Sequence, residues 1–367
     1  MLDMKIDMLG SYKIEDCKFL LKDVSDLVKE QGNEEREKCI QNGGHYSEMI
    51  PIEYEPSKEY YDLFHKSLQE SKESLAYTVG VMSEKIWRKY GKNTVLVSLA
   101  RAGSPIGVLS KRYIKKFYNV DVPHYSISII RDKGIDINAI KYIVETHKEG
   151  RIQFVDGWTG KGTITGVLEE ACEDLRKNHN IDLDSSLAVI ADPPGFSSVC
   201  GTREDFLIPS ACLNSVVSGL VSRTILRDDL IGENDFHGAK FYEDLKEKDL
   251  SNFYVDKISE CFEDIKSLVD KKMSTWEKDE ITKIGLKDVN LIKEKYNVSD
   301  INFIKPGIGE TTRVLLRRVP DKILVDDIKN PNLKHILILA EEKGVEVEEV
   351  KLEAYSCCGI IKSMKDI

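Results

Sequence analysis

Four short β-branched runs set the strongest limit on what this chain can fold into: "TVLVSLA" (94–100), "HYSISII" (124–130), "IQFVDG" (152–157) and "LAVIAD" (187–192). Stretches of helical spacing separate them. A strand–helix–strand rhythm of this kind requires right-handed crossovers and a mostly parallel sheet flanked by helices, so the fold class is α/β. Ligands of such sheets gather at the carboxyl ends of the strands. Three of the runs end in the chain's most polar loops, "RAGSP", "RDKG" and "DGWTGKGT".

At 367 residues the chain exceeds one core of ordinary size. The spacing predicts an N-terminal helical and loop extension over 1–71, the α/β domain over 72–258, a charged helical linker over 259–285 and a small α/β sandwich over 286–367. The last unit reads as helix "LKDVNLIKEKY", strand "INFI", helix "GETTRVLLRR", strand "KILVDD", helix "NLKHILILAEEKG" and strand "VEVEEVKL". A formal charge of -10 argues against a general binder of nucleic acid or anionic membrane, so any RNA contact must be local. No run has the roughly 18 apolar residues of a membrane span, and acids interrupt the N-terminus where an export signal needs an apolar core. A soluble cytoplasmic protein is expected. The eight cysteines form no CxxC pair, which fits reduced thiols better than disulfides or zinc, and Cys357 and Cys358 read as buried small residues.

The loop "DGWTGKGT" carries the clearest chemistry. Gly160 and Gly162 permit tight turns, Thr159 and Thr163 offer hydroxyls, Lys161 adds a cation, and the helix that comes next presents its positive end to an anion. The nucleoside-triphosphate P-loop is excluded on spacing, because Gly162 and not Ser or Thr follows Lys161. Asp156, ahead of the loop, suits the hydroxyls of a sugar phosphate. "FVDGWTGKGT" resembles the phosphoribosyl diphosphate (PRPP) motif of type I phosphoribosyltransferases. Those enzymes usually carry two adjacent acids; here Asp156 matches the second and Val155 stands at the first. The resemblance makes Asp156, Gly157, Thr159, Gly160, Lys161, Gly162 and Thr163 the sugar-phosphate site. Arg101, Ala102, Gly103 and Ser104 in "RAGSP" become its diphosphate loop, with Mg2+ as cofactor held through the ligand. Arg131 and Lys133 lie in the region of the family's mobile flap, where they would neutralise the leaving diphosphate, so Asp156, Arg131 and Lys133 are the expected catalytic set.

The wider match is to the phosphoribosyltransferase-like proteins of tellurite-resistance (Ter) stress operons, a family also labelled cysteine protease StiP. "GGHYSEMIPIEYEPS", "VSLARAGSPIGVL", "HYSISIIRDKGID", "GTREDFLIPSACLNSVVSGLVSRT" and "DDLIGENDFHGAKFY" carry it from about residue 10 to 242. "KPGIGETTRVLLRRVPDKILVDD" and "LKHILILAEEKGVEVEEV" are similar to a pelota-like RNA-binding domain. The resemblance implies a PRPP-using transferase that makes a nucleotide-like metabolite in a stress system. An unknown base or acceptor would be held by Arg203, Asp205, Asn214 and Ser215, with Ser218 nearby. RNA would be held by Arg313, Arg317 and Arg318, unless those arginines pair with acids such as Asp326 and Asp327. Type I relatives are commonly dimers, so a homodimer is expected on that ground alone. Two other readings stay open. A cysteine hydrolase could assemble Cys212, His237 and Asp235, and a non-catalytic regulator could sense a nucleotide and bind RNA. His45, Tyr46 and Glu48 lie in a loop too polar for a core, either a surface turn or a cap over the site.

Overall fold

In the computed structural model, which describes residues 9–32, 35, 39, 43–53 and 55–362, six parallel strands form one sheet. They are β1 (Lys18–Phe19), β2 (Thr94–Leu99), β3 (His124–Ile127), β4 (Arg151–Trp158), β5 (Leu187–Ala191) and β6 (Val199–Thr202), in the order β1-β3-β2-β4-β5-β6. The inner strands are covered on both faces, which is why they read as unbroken apolar runs: every residue of β2 and of β5 is buried. Helices α1 (Lys58–Tyr90), α2 (Ser104–Tyr118), α3 (Ile137–Thr146) and α4 (Thr163–His179) supply the cover. Leu75, Val79, Met82 and Ile86 of α1 pack with Ile106 and Leu109 of α2 on one face. Ile140 and Ile143 of α3 and Leu168 and Leu175 of α4 close the other.

Two further helices, α5 (Ser251–Ser259) and α6 (Phe262–Ser274), thicken the α1 side, and a strap then leads to the C-terminal domain. The strap is tied down. The ammonium of buried Lys85 donates to the Cys200 carbonyl at 2.6 Å and to Asp279 at 2.5 Å, 5.3 Å from the Trp276 ring centroid. The C-terminal sheet holds β7 (Ile304–Pro306), β8 (Pro320–Val325), β9 (Glu346–Glu349) and β10 (Cys357–Ile361) in the order β7-β10-β8-β9. Helix α7 (Gly285–Lys295) covers one face; α8 (Ile308–Arg317) and α9 (Lys334–Glu342) cover the other. Cys357 and Cys358 alternate to opposite faces of β10 and are buried in different clusters, as two neighbours on a strand must be.

Helix α1 runs without a break through residue 71, where the sequence suggested a boundary. The run 124–130 is a strand only to Ile127. It then turns into a ribbon of Ile129–Ile130 against Gly134–Ile135, whose tip is Arg131, Asp132 and Lys133. "INFI" divides into a 3-10 turn, Ile301–Phe303, and Ile304, the first residue of β7. Among the described residues no helix is long and apolar enough to cross a membrane.

Candidate functional site

The carboxyl ends of β2, β4 and β5 and the ribbon after β3 open toward the C-terminal domain, and most of the polar residues singled out in the sequence lie there. Asp156 is the last acid of β4. Its Oδ1 accepts the Gly157 N–H at 2.8 Å, and burial pushes its carboxyl up to about 7 against the opposing field of Arg313. Trp158 ends the strand with the Arg313 guanidinium 4.7 Å over its ring. The loop from Thr159 to Gly162 then enters α4, with Gly162 at φ 81° and its Cα against the Phe196 ring, a place where a side chain would collide.

This loop is covered by protein. Lys161 sends its ammonium to the carbonyls of Ile301 at 2.5 Å and Ile304 at 3.1 Å, and the Gly160 carbonyl accepts the Tyr355 hydroxyl at 2.9 Å. Burial and the neighbouring Lys305 push the Lys161 amine down to about 8. Thr159 is buried with its hydroxyl near the Asp192 carboxylate, and Thr163 is exposed at the start of α4. In the "RAGSP" loop, Arg101 donates to the Val221 carbonyl at 2.9 Å and lies 3.7 Å from Glu53, while the Ser104 hydroxyl is buried against Ser126 at 2.7 Å. Ala102 and Gly103 fill the turn, where a Cβ on Gly103 would stand 2.4 Å from the Val155 carbonyl.

The residues read as an acceptor hood all hold other parts of the fold. Arg203 pairs with Asp192 and donates to the Ser197 and Glu280 carbonyls. Asp205 reaches into the C-terminal domain, where its two oxygens accept the N–H groups of Ile308 and Ser356, each at 2.9 Å. Asn214 accepts a bond from Arg317, Ser215 binds Glu53 through its N–H and hydroxyl, and Ser218 returns to the Asn214 carbonyl. Arg313 and Arg317 likewise face the first domain: Arg313 contacts the Ala211 carbonyl and Glu310, and Arg317 the Cys212 carbonyl. Arg318 is exposed. Among the described residues no three His, Cys, Asp or Glu side chains converge on a metal position, and the acid whose charge acts on Asp156 is Glu310 of the C-terminal domain.

A thiol nucleophile must be reachable and able to ionise. Seven of the eight cysteines are buried and Cys39 alone is partly exposed. Cys212 is fully buried and burial pushes its thiol up to about 12. The residues that could have assembled with it are engaged elsewhere: His237 bonds Ser128 at 2.9 Å through Nδ1, and Asp235 pairs with Lys22 at 2.6 Å. Cys39 instead lies beside the turn that carries His45. Its carbonyl accepts the Gly44 N–H at 3.0 Å, and its Sγ lies so close to Gly44 that a Cβ there would approach it to 2.6 Å. His45 accepts the Ser47 N–H at Nδ1, and its buried Nε2 has no hydrogen bond and lies 3.8 Å from the Asp132 carboxylate. Next to it the Tyr46 hydroxyl accepts the Arg131 N–H at 2.7 Å, and the guanidinium groups of Arg131 and Arg223 each sit 5.4 Å from the Tyr46 ring centroid. The ribbon tip and the "GGHYSE" loop therefore meet at the strand ends; Lys133 is exposed beside them.

A family model described as "Tellurite-like stress resistance cysteine protease StiP" matches residues 10–259. The chain belongs to the StiP family. A model of the pelota RNA-binding domain matches residues 283–363. The chain is also 33% identical over 357 residues to "Cysteine protease StiP" of Acinetobacter baylyi, covering 95% of this chain and 92% of that protein. These matches overturn the expectation of a PRPP-dependent glycosyltransferase, since the family and the relative are both named for a cysteine protease. The structure adds a physical observation: the Lys161 ammonium is bonded to two carbonyls of the C-terminal domain. Sequence reasoning passed over Cys39, Asp132 and Arg223. For Cys39 a signal existed, because "CIQNGGHYSE" sets a cysteine and a histidine on either side of a glycine turn in a polar loop.

Proposed function

We propose that the chain is a cysteine-dependent peptidase whose nucleophile is Cys39 and whose proton acceptor is His45. The observation that carries this reading is the exposure of Cys39 among otherwise buried thiols; the name of the family supports the class of reaction. As His45 takes the thiol proton at Nδ1 it gives up the Ser47 N–H and gains a full charge opposite Asp132. The Sγ lone pair then attacks the peptide carbonyl carbon. The resulting intermediate expels the amine, which takes the proton back from the imidazolium, and water releases the thioester as a carboxylic acid. Hydrolysis of a mixed fluorogenic peptide pool by the full chain tests it. Cys39→Ser and His45→Gln should each abolish turnover while Cys212→Ser retains it; turnover that survives Cys39→Ser refutes the assignment.

We further infer that the parallel sheet is a type I phosphoribosyltransferase-like scaffold put to hydrolytic use, on the strength of the strand–acid–loop–helix passage from β4 to α4. The eight free cysteines favour a reducing compartment, the cytoplasm. A role for the C-terminal domain in RNA contact is supported by its pelota match and by exposed Arg318. Such binding should weaken steeply with salt and with Arg318→Ala in a titration against single-stranded RNA.

A further inference from the structure

The loop that carries His45 also carries the most concentrated cationic feature at the mouth of the site. Two guanidinium groups, those of Arg131 and Arg223, each lie 5.4 Å from the centroid of the Tyr46 ring. Arg131 is fixed by its backbone, through the 2.7 Å bond from its N–H to the Tyr46 hydroxyl, while its side chain stays 41% exposed. The other contacts of that guanidinium are long: 3.4 Å to Asp132 and 3.3 Å to the Asn302 side chain. A guanidinium carries its N–H groups in a planar fork that matches a carboxylate, and the long contacts of Arg131 leave that fork weakly held.

The positive field extends past Arg131 to Lys305. Burial lowers the Lys305 amine, and the nearby Arg318 and Arg131 lower it further; Lys305 in turn acts on Lys161. Asp132, Asp300 and Glu310 temper this row, and of the three Asp132 is the one paired with Arg131. A local excess of cations on a chain of net charge -10 is an address for an anion.

We propose that the site selects peptide segments bearing carboxylate side chains, which the Arg131 guanidinium binds beside Tyr46 and His45. This inference rests on the peptidase reading for its placement next to the scissile bond. Peptide is favoured over RNA because the Tyr46 ring is already crowded by the His45 ring, 4.4 Å away, and by two guanidinium groups, which compete with a base for stacking. The row of cations is also short and interleaved with acids, poor terms for a polyanion.

The test is a binding measurement, independent of cleavage. Fluorescence anisotropy of a labelled decapeptide of alternating Ala and Glu is compared with its Ala/Gln counterpart and with a uridine decanucleotide, on the full chain. The Glu peptide should bind about tenfold more tightly than the Gln peptide, the factor expected for one charge-assisted pair. Arg131→Gln should erase that preference, Arg131→Lys should restore part of it, and Lys177→Gln, on the outer surface of α4, should leave it intact. Equal binding of the two peptides, or a preference that survives Arg131→Gln, overturns the proposal. So does tighter binding of the uridine decanucleotide that is lost together with Arg131, which would assign the site to RNA. A Glu preference in a chain that cleaves no peptide would support the carboxylate site while refuting the peptidase reading. Cleavage with no Glu preference would do the reverse.

Discussion

Replacing Asp205 offers a direct measure of how firmly the two domains are joined. Its carboxylate spans the junction and accepts two backbone N–H groups, from Ile308 at the start of α8 and from Ser356, each at 2.9 Å. Asp205→Ala leaves both donors without a partner, at about 1–3 kcal/mol each, so about 3 kcal/mol of stability should be lost. Asp205→Asn keeps one acceptor and turns an amide NH2 toward the other donor, and should cost about half as much. The pH dependence carries a sign. Burial raises the Asp205 carboxyl from 3.8 to about 6, so the folded chain holds that proton more tightly than the unfolded chain. The stability this group contributes is therefore fully present below pH 4 and is lost as pH rises toward 6, an effect of about 2–3 kcal/mol. The advantage of wild type over Asp205→Asn should shrink by that amount between pH 4.5 and pH 7.5. Urea unfolding followed by tryptophan fluorescence suits the purpose, because Trp158 lies under Arg313 of the second domain and its emission reports separation. An Asp205→Ala loss below about 0.5 kcal/mol, or a wild-type advantage that grows with pH, would refute the reasoning.

Three other outcomes rest on contacts of the same kind. Asp156→Asn removes a carboxyl that burial has raised to about 7, so the variant should be more stable than wild type by about 2 kcal/mol at pH 8 and lose that advantage at pH 4, read from thermal melts at the two values. Lys85→Met removes the ammonium bound to the Cys200 carbonyl and Asp279 and strands a half-buried carboxylate; a loss of about 3 kcal/mol, and faster proteolysis in the strap around Trp276, are expected. Gly103→Ala places a Cβ 2.4 Å from the Val155 carbonyl between β2 and β4, and should lower the unfolding midpoint in urea by at least 2 kcal/mol equivalent, roughly the cost of overpacking a close backbone contact.

Legibility in the sequence depended on range. Strands such as "TVLVSLA" and "LAVIAD" declare themselves because a parallel strand buried on both faces must be apolar throughout. The two-residue edge Lys18–Phe19 does not, since it is held by backbone pairing to Tyr125 and Ser126 and needs no pattern of its own. β10 escapes sequence reading for a related reason: "CCGII" is short and carries a glycine at its middle, yet it is paired on both sides within its sheet. The strand-end loops are legible as loops. Their occupant is not, because Lys161, Asp205 and Arg317 are satisfied by partners far away in the chain, and local spacing carries no trace of them. Cys212 could be set beside His237 and Asp235 only on paper, because no local signature marks a nucleophile there; burial decides reactivity, and Cys39 is the thiol left in reach.

The proposed hydrolysis turns on Cys39, and its thiol can be tested directly. The full native chain would be treated with an epoxide-bearing peptide that alkylates nucleophilic cysteines, then digested, and the adduct located by mass. A single adduct on Cys39, lost in His45→Gln and unaffected in Cys212→Ser, is the predicted result. An adduct on Cys212, or one on Cys39 that forms equally fast without His45, would contradict it.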